Sequence, residues 1–244
     1  MDLSGKVALV TGSARRLGEA IARGLGQAGA SVAVHHSGSP DEADRVVHDL
    51  GQRGTRAEAF QADLTDVGQL FALFAAIDRS FGRLDILVNS AARFEHKPIL
   101  EITPADWDAT LHLNLRAPFF CAQSAARIMR RSGGGSIINI ADIGSFQPWP
   151  GYAHHCASKA GLVMLTQVFA RALAPEIRVN AIAPGPVLPP DDLTEEQRQH
   201  LASLTALGRL GSPEDVVKAV LFLIESDYVT GETVVVDGGK LLEG

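Results

Sequence analysis

Lys6-Val7-Ala8-Leu9-Val10-Thr11-Gly12-Ser13-Ala14-Arg15-Arg16-Leu17-Gly18 decides the fold. After Lys6 its next four residues form a short apolar run, the signature of a strand buried on both faces. Small and apolar positions at helical spacing then begin near Leu17 and run towards Leu25. Between them lies a turn in which Gly12 and Gly18 permit close backbone approach, and the helix that follows presents unpaired amides to an anion. Strand, glycine turn and helix in this order form a cradle for a pyrophosphate.

Outward from this unit the pattern repeats. Ala30–Val34 reads as a strand, 40–51 as a helix, Arg56–Gln61 as a strand, Val67–Phe81 as a helix and Leu84–Val88 as a strand. Helices are expected over Thr103–Leu115, Ala117–Arg131 and Ser158–Leu173, with strands at Ser136–Ile140, Ile177–Ile182 and Thr233–Asp237. Such alternation predicts an α/β fold, a doubly wound and mostly parallel sheet covered by helices on both faces. A length of 244 residues suits one domain of this type. Pro184 to Thr194 is the extended irregular stretch, and 185–206 is expected to form a substrate-side loop and helix.

Composition narrows the partners. A net charge of -6 without a Lys/Arg-dense tract gives no footprint for nucleic acid. No apolar run approaches the roughly 20 residues that span a bilayer, and no targeting segment is evident. Cys121 and Cys156 stand far apart without metal-ligand spacing, which fits a reducing, cytoplasmic setting. The pairs His35-His36 and His154-His155 have no accompanying cysteine or carboxylate set, so no metal is expected.

The second strand ends in Val34-His35-His36-Ser37, without the Asp or Glu that would hold both ribose hydroxyls of NAD. Arg15 offers a guanidinium fork and Ser37 a hydroxyl to a 2'-phosphate, so NADP(H) is expected in preference to NAD(H). The alternative is that both are solvated loop residues. Asp63 at the end of the third strand and Asn89 after the fourth are candidates for adenine or backbone contacts, or are turn formers.

Asp142, His155 and Lys159 follow at separations of thirteen and four residues, the latter placing His155 and Lys159 on one helix face. Reduction of a carbonyl or imine requires a proton at the new oxyanion or nitrogen, and a Lys ammonium stabilises developing negative charge. Lys159 suits both this task and a ribose contact. Asp142 either orients substrate or donates a proton. His155 is a proton donor, an orienting imidazole, or a mark of lost chemistry. Tyr152 and His154 are reserve donors, and Asn114 supports a bend or water chain leading to Lys159, or caps a helix.

These residues resemble the classical short-chain dehydrogenase/reductase family over nearly the whole chain, in its pteridine reductase-like branch. The resemblance rests on Thr11–Gly18, Asp63, Asn89-Ser90-Ala91-Ala92, Asn114, Lys159 and Ala183-Pro184-Gly185-Pro186. It implies a single-domain Rossmann fold. It also implies cofactor contacts from Gly12, Arg15, Arg16, Leu17 and Gly18, from His36, Ser37, Asp63 and Leu64, and from Asn89, Ala91, Lys159, Pro184 and Gly185. Arg16 in place of the usual middle glycine, and Asp142 in place of the usual serine, are similar to pteridine reductases. By that likeness Arg16, Phe94, Asp142, Tyr152, Pro186 and Leu188 face the substrate, with Phe94 packed on a flat ring. The segment 185–193 resembles the substrate-side segment of that branch. Where the family places tyrosine, this chain has His155. A homotetramer or homodimer is also implied.

The sequence therefore points first to NADPH-dependent reduction of a pteridine or another planar conjugated imine. The alternatives are reduction of a carbonyl or 3-oxoacyl compound, and a cofactor-binding oligomer without efficient turnover.

Overall fold

A computed structural model describes residues 1–190 and 193–242. Asp191 and Asp192 of the expected substrate-side segment lie outside the described residues. Seven strands, β1 (Val7–Val10), β2 (Ser31–His36), β3 (Ala57–Gln61), β4 (Ile86–Asn89), β5 (Gly135–Ile140), β6 (Ile177–Pro184) and β7 (Thr233–Val236), form one sheet. Their order is β3-β2-β1-β4-β5-β6-β7, and every pairing is parallel. The chain winds outward from β1 in both directions, so the loops after β1 and β4 diverge and leave a crevice at the strand ends.

Alternation along each strand explains why the sheet carries two cores. Ala8 and Val10 of β1, with Val32, Val34, Ile86 and Val88, meet α1 (Arg16–Gln27), α2 (Pro40–Gln52) and α8 (Pro213–Glu225). Val7 and Leu9, with Ala33, Leu87, Ile137 and Val179, meet α3 (Val67–Phe81), α5 (Ala117–Arg131) and α6 (Ala153–Leu173). No described helix is long and apolar enough to cross a membrane.

Three departures from the expected elements matter. The helix expected over Thr103–Leu115 stops as α4 (Pro104–Leu111), and a π turn over His112–Arg116 leads into α5. There the Ala117 N–H reaches the His112 carbonyl five residues back. Pro118, which has no N–H, cannot supply the ordinary bond to the Asn114 carbonyl. Helix α6 begins at Ala153 rather than Ser158, which puts His154 and His155 in its first turn. Helix α8 was not anticipated, although Ser212 and Asp215 form a capping box around Pro213 and announce it. Helix α7 (Glu195–Ser203) starts from a second capping box, Thr194 with Gln197.

Candidate active site

The glycine turn is built by mutual exclusion. Gly12 has φ of 66°, and a Cβ there would stand 3.1 Å from the Ala91 Cα. A Cβ on Gly18 would sit 2.3 Å from the Gly12 carbonyl oxygen. Only hydrogen at both places lets the turn fold onto the start of α1. Thr11 secures the neighbouring loop, its Oγ1 accepting from the Ser90 and Ala91 amides at 2.9 and 3.0 Å.

His35 completes the turn. Its Nδ1 accepts from the Gly12 N–H at 2.9 Å, and its Nε2 lies 3.0 Å from the Ala62 carbonyl. A carbonyl only accepts, so the proton is on Nε2 and the ring is neutral. Burial, opposed by the Ala62 hydrogen bond and by Asp63, lowers the His35 pKa from 6.5 to about 4. Between pH 6.5 and 4 the unfolded chain therefore takes up a proton that the fold refuses. The stability that neutral His35 contributes is complete above pH 6.5 and is lost as pH falls towards 4, by up to about 3 kcal/mol. Urea unfolding across this range is expected to show that slope in the wild type and to lose it in His35→Asn; equal slopes would count against the assignment.

The crevice has a volume of about 670 Å³. Gly12, Arg15, Arg16, Leu17, Gly18, Ser37, Asp63, Leu64 and Ala91 line one part of it. Arg15 and Ser37 are exposed at the rim, and among the described residues the Arg15 side chain has no ion pair. Asp63 accepts from Thr65 through Oδ1. Arg16, the only non-glycine among the described residues with positive φ, at 55°, donates from Nη2 to the Leu188 carbonyl at 2.9 Å. The turn after β1 is thus tied to the segment that carries Pro184, Gly185, Pro186 and Leu188, all of which line the crevice.

Phe94, Asp142, His155 and Lys159 line the other part. Lys159 is buried and its Nζ donates to the Ile140 carbonyl at 2.7 Å. Burial lowers its pKa from 10.5 to about 8, with the Asp142 carboxylate pulling the other way. Asp142 caps the short turn that follows it, accepting from the Gly144 N–H at 2.7 Å through Oδ1. Its Oδ2 lies 3.7 Å from His155 Nε2. That nitrogen is buried and has no hydrogen-bond partner among the described residues.

Four of the expected site residues, and the reserve donor His154, which is buried, do not reach the surface of the crevice. His36 is buried and turned back to accept from the Ser39 amide at 3.3 Å, while its neighbour His35 takes the wall position. Asn89 points into the sheet and donates to Asn139 at 2.8 Å, in a chain that continues to Thr166. Asn114 is completely buried against the backbone of Arg93. Tyr152 is stacked on Phe94 with centroids 4.5 Å apart, outside the lining, and so does not take the place of the tyrosine that the resemblance leads one to expect.

Trp149 is the contributor that the sequence concealed. It lies parallel to His155, 2° between planes and 6.4 Å between centroids, with Phe94 edge-on to His155 at 4.7 Å. A Cβ on Gly144 would come within 3.0 Å of the indole, so the missing side chain leaves room for the ring. No periodicity marks a tryptophan between two prolines in a loop. Lys240, also in the lining, sits in a C-terminal segment that carries no motif.

A family model described as Enoyl-(Acyl carrier protein) reductase matches residues 12–240. The chain is 36% identical over 242 residues to the 3-oxoacyl-[acyl-carrier-protein] reductase FabG of Staphylococcus aureus, covering 97% of this chain and 98% of that one. A putative short-chain alcohol dehydrogenase from Sinorhizobium meliloti superposes with a TM-score of 0.93 at 35% identity, over 99% of this chain and 98% of that one. A blue fluorescent protein from a metagenomic library, solved in complex with NADPH, superposes with a TM-score of 0.90 at 35% identity, over 98% of this chain and 99% of that one. The parallel sheet, the glycine turn and these full-length likenesses together make the chain a member of the classical short-chain dehydrogenase/reductase family of oxidoreductases.

Proposed function

We propose that this protein is an NADPH-dependent reductase of carbonyl compounds, with 3-oxoacyl thioesters the first class to test. The observation that carries the reading is the buried Nε2 of His155, without a partner among the described residues, which faces Asp142 in the same crevice wall as Lys159. The relatives named as 3-oxoacyl reductases support the substrate class.

The residues fit the cofactor. Gly12 and Gly18 have no Cβ to force the turn open, and Arg16, Leu17 and Gly18, whose amides open α1, line the crevice where a pyrophosphate would sit. Arg15 and Ser37 are available to a 2'-phosphate, and Asp63 and Leu64 to an adenine. NADPH supplies a hydride when bound. Lys159, with one proton engaged by the Ile140 carbonyl, has two left to orient a ribose and to stabilise negative charge. His155 delivers a proton from Nε2 to the substrate oxygen. Pro186 and Leu188 screen that end from water.

Reduction of a pteridine or another flat imine is the second reading. It is favoured by Phe94, 58% exposed on the crevice wall, against which a planar ring can lie, with Trp149 set at 82° to it. Exposed Met164 and Val168 on α6 and Phe222 on α8 support a homodimer or homotetramer. Two unpaired thiols suit the cytoplasm.

The test is NADPH oxidation with acetoacetyl thioesters, simple ketones and dihydropteridines, with product identification. Formation of a hydroxy product is expected, and Arg15→Ala is expected to erode the preference for NADPH over NADH by about tenfold or more. Reduction of dihydropteridines alone would transfer the assignment to the second reading. NADPH binding with no reduction of any of these compounds would overturn both.

A further inference from the structure

We infer that the backbone carbonyl of Arg93 fixes the tautomer of His155, and that Asn114, which grips that carbonyl, is the positioning residue that makes His155 Nε2 the proton-donating atom. The inference rests on the reductase reading above. It concerns how this chain sets up an imidazole where the family has a phenol.

Asn114 holds Arg93 at both ends of its backbone. Its Oδ1 accepts from the Arg93 N–H at 2.7 Å, and its Nδ2 donates to the Arg93 carbonyl at 2.9 Å. The same Nδ2 lies 3.2 Å from Ser158 Oγ, whose hydroxyl donates to the His155 carbonyl at 2.7 Å. The amide therefore braces both the loop that carries Arg93 and the helical turn that carries His155. The π turn delivers Asn114 to this spot.

The Arg93 carbonyl lies 3.4 Å from His155 Nδ1. A carbonyl oxygen has no proton to give, so Nδ1 carries the hydrogen. A neutral imidazole has one N–H, which leaves a lone pair on Nε2. That atom, buried and without a partner among the described residues, is 3.7 Å from Asp142 Oδ2, beyond hydrogen-bond reach. Leaving a buried nitrogen unpaired is unfavourable, and a proton or a substrate hydroxyl relieves it. Trp149, parallel to the ring, and Phe94, edge-on to it, oppose a flip that would exchange the nitrogens.

Proton transfer then starts and ends in geometries that the protein already holds. In the charged ring, Nε2–H points towards Asp142 and the crevice. As the substrate carbon accepts hydride from NADPH, the carbonyl π pair moves onto oxygen. That oxygen takes the proton. The Nε2–H bond breaks and its electron pair stays on nitrogen, while an O–H bond forms. The ring is left as the neutral Nδ1–H tautomer, the one the Arg93 carbonyl accepts from. Solvent restores the proton through the crevice.

Nitrogen-15 spectra of histidine-labelled, cofactor-free protein report the tautomer directly, with His155 assigned by its loss in His155→Phe. Once titration has located the neutral ring, the expected result is a pyrrole-like Nδ1 and a pyridine-like Nε2. Asn114→Ala is expected to mix the two tautomers and to lower kcat on the order of tenfold or more with an altered pH profile. Asn114→Asp, which keeps the acceptor for the Arg93 amide but not the donor to its carbonyl, is expected to behave like the alanine variant. A wild-type ring protonated on Nε2 would overturn the inference, as would an unmixed tautomer with unchanged kcat in folded Asn114→Ala. Full activity in His155→Phe would instead remove the proton-donor reading itself. The wild-type spectrum stands apart from either variant's ability to fold.

Discussion

Lys159→Met is expected to lower kcat/KM by about 10²- to 10⁴-fold while leaving the protein folded. Methionine keeps much of the lysine stem's volume, so the packing of α6 survives. The substitution removes the ammonium from the crevice wall, where the proposed reaction places it, and leaves the Ile140 carbonyl without its Lys159 donor. Burial has already lowered the Lys159 pKa to about 8, which fixes the pH signature. The ammonium is intact below that pH and is lost above it. Wild-type kcat/KM should therefore fall as pH rises through about 8, and the residual rate of Lys159→Met should lack that limb. Retention of kcat/KM within about tenfold, or the same alkaline limb in the variant, would show that the ammonium is not required.

Gly18→Ala should be the most damaging small substitution in the cofactor half. Intrinsic propensity favours alanine over glycine in a helix by up to about 1 kcal/mol. Here the sign reverses, because the new Cβ would meet the Gly12 oxygen at 2.3 Å, the Gly12 carbonyl carbon at 2.9 Å and the Ser13 Cα at 3.1 Å. All three are backbone atoms, so no rotamer change can relieve the contact and the turn must open. Overpacking of this kind costs about 1–3 kcal/mol, which corresponds to a fall in Tm of several degrees for a domain of this size. Opening the turn also moves the cradle, so NADPH affinity, read by fluorescence titration, is expected to weaken by at least about tenfold. Unchanged affinity in the variant would separate the turn from pyrophosphate binding.

The sheet and the cofactor turn were legible because their signals are local. Buried parallel strands read as uninterrupted apolar runs, and Gly12 and Gly18 stand where a side chain would collide with backbone. The crevice is less legible because long-range contacts choose which of two neighbours faces it. His35 and His36 are adjacent and chemically identical, yet strand alternation and the Gly12 amide put the first on the wall and turn the second away. Asn114 stands out in the sequence as a candidate, but its grip on Arg93, twenty-one residues away, has no counterpart in sequence spacing. Closeness to His155 in sequence makes Tyr152 a reserve donor on paper. Stacking on Phe94 takes it elsewhere.

The sheet that carries the active site also insulates its two halves. Ile21 of α1 and Met129 of α5 are both fully buried, but they lie in cores on opposite faces with the strands between them. Side chains that share no partner act additively on stability. A cavity opened beneath α5 therefore cannot be refilled from α1. The glycine turn belongs to one slab and the helix bearing His155 and Lys159 to the other. They meet at the strand ends, so a packing change in one slab is expected to leave the other slab's share of the crevice in place.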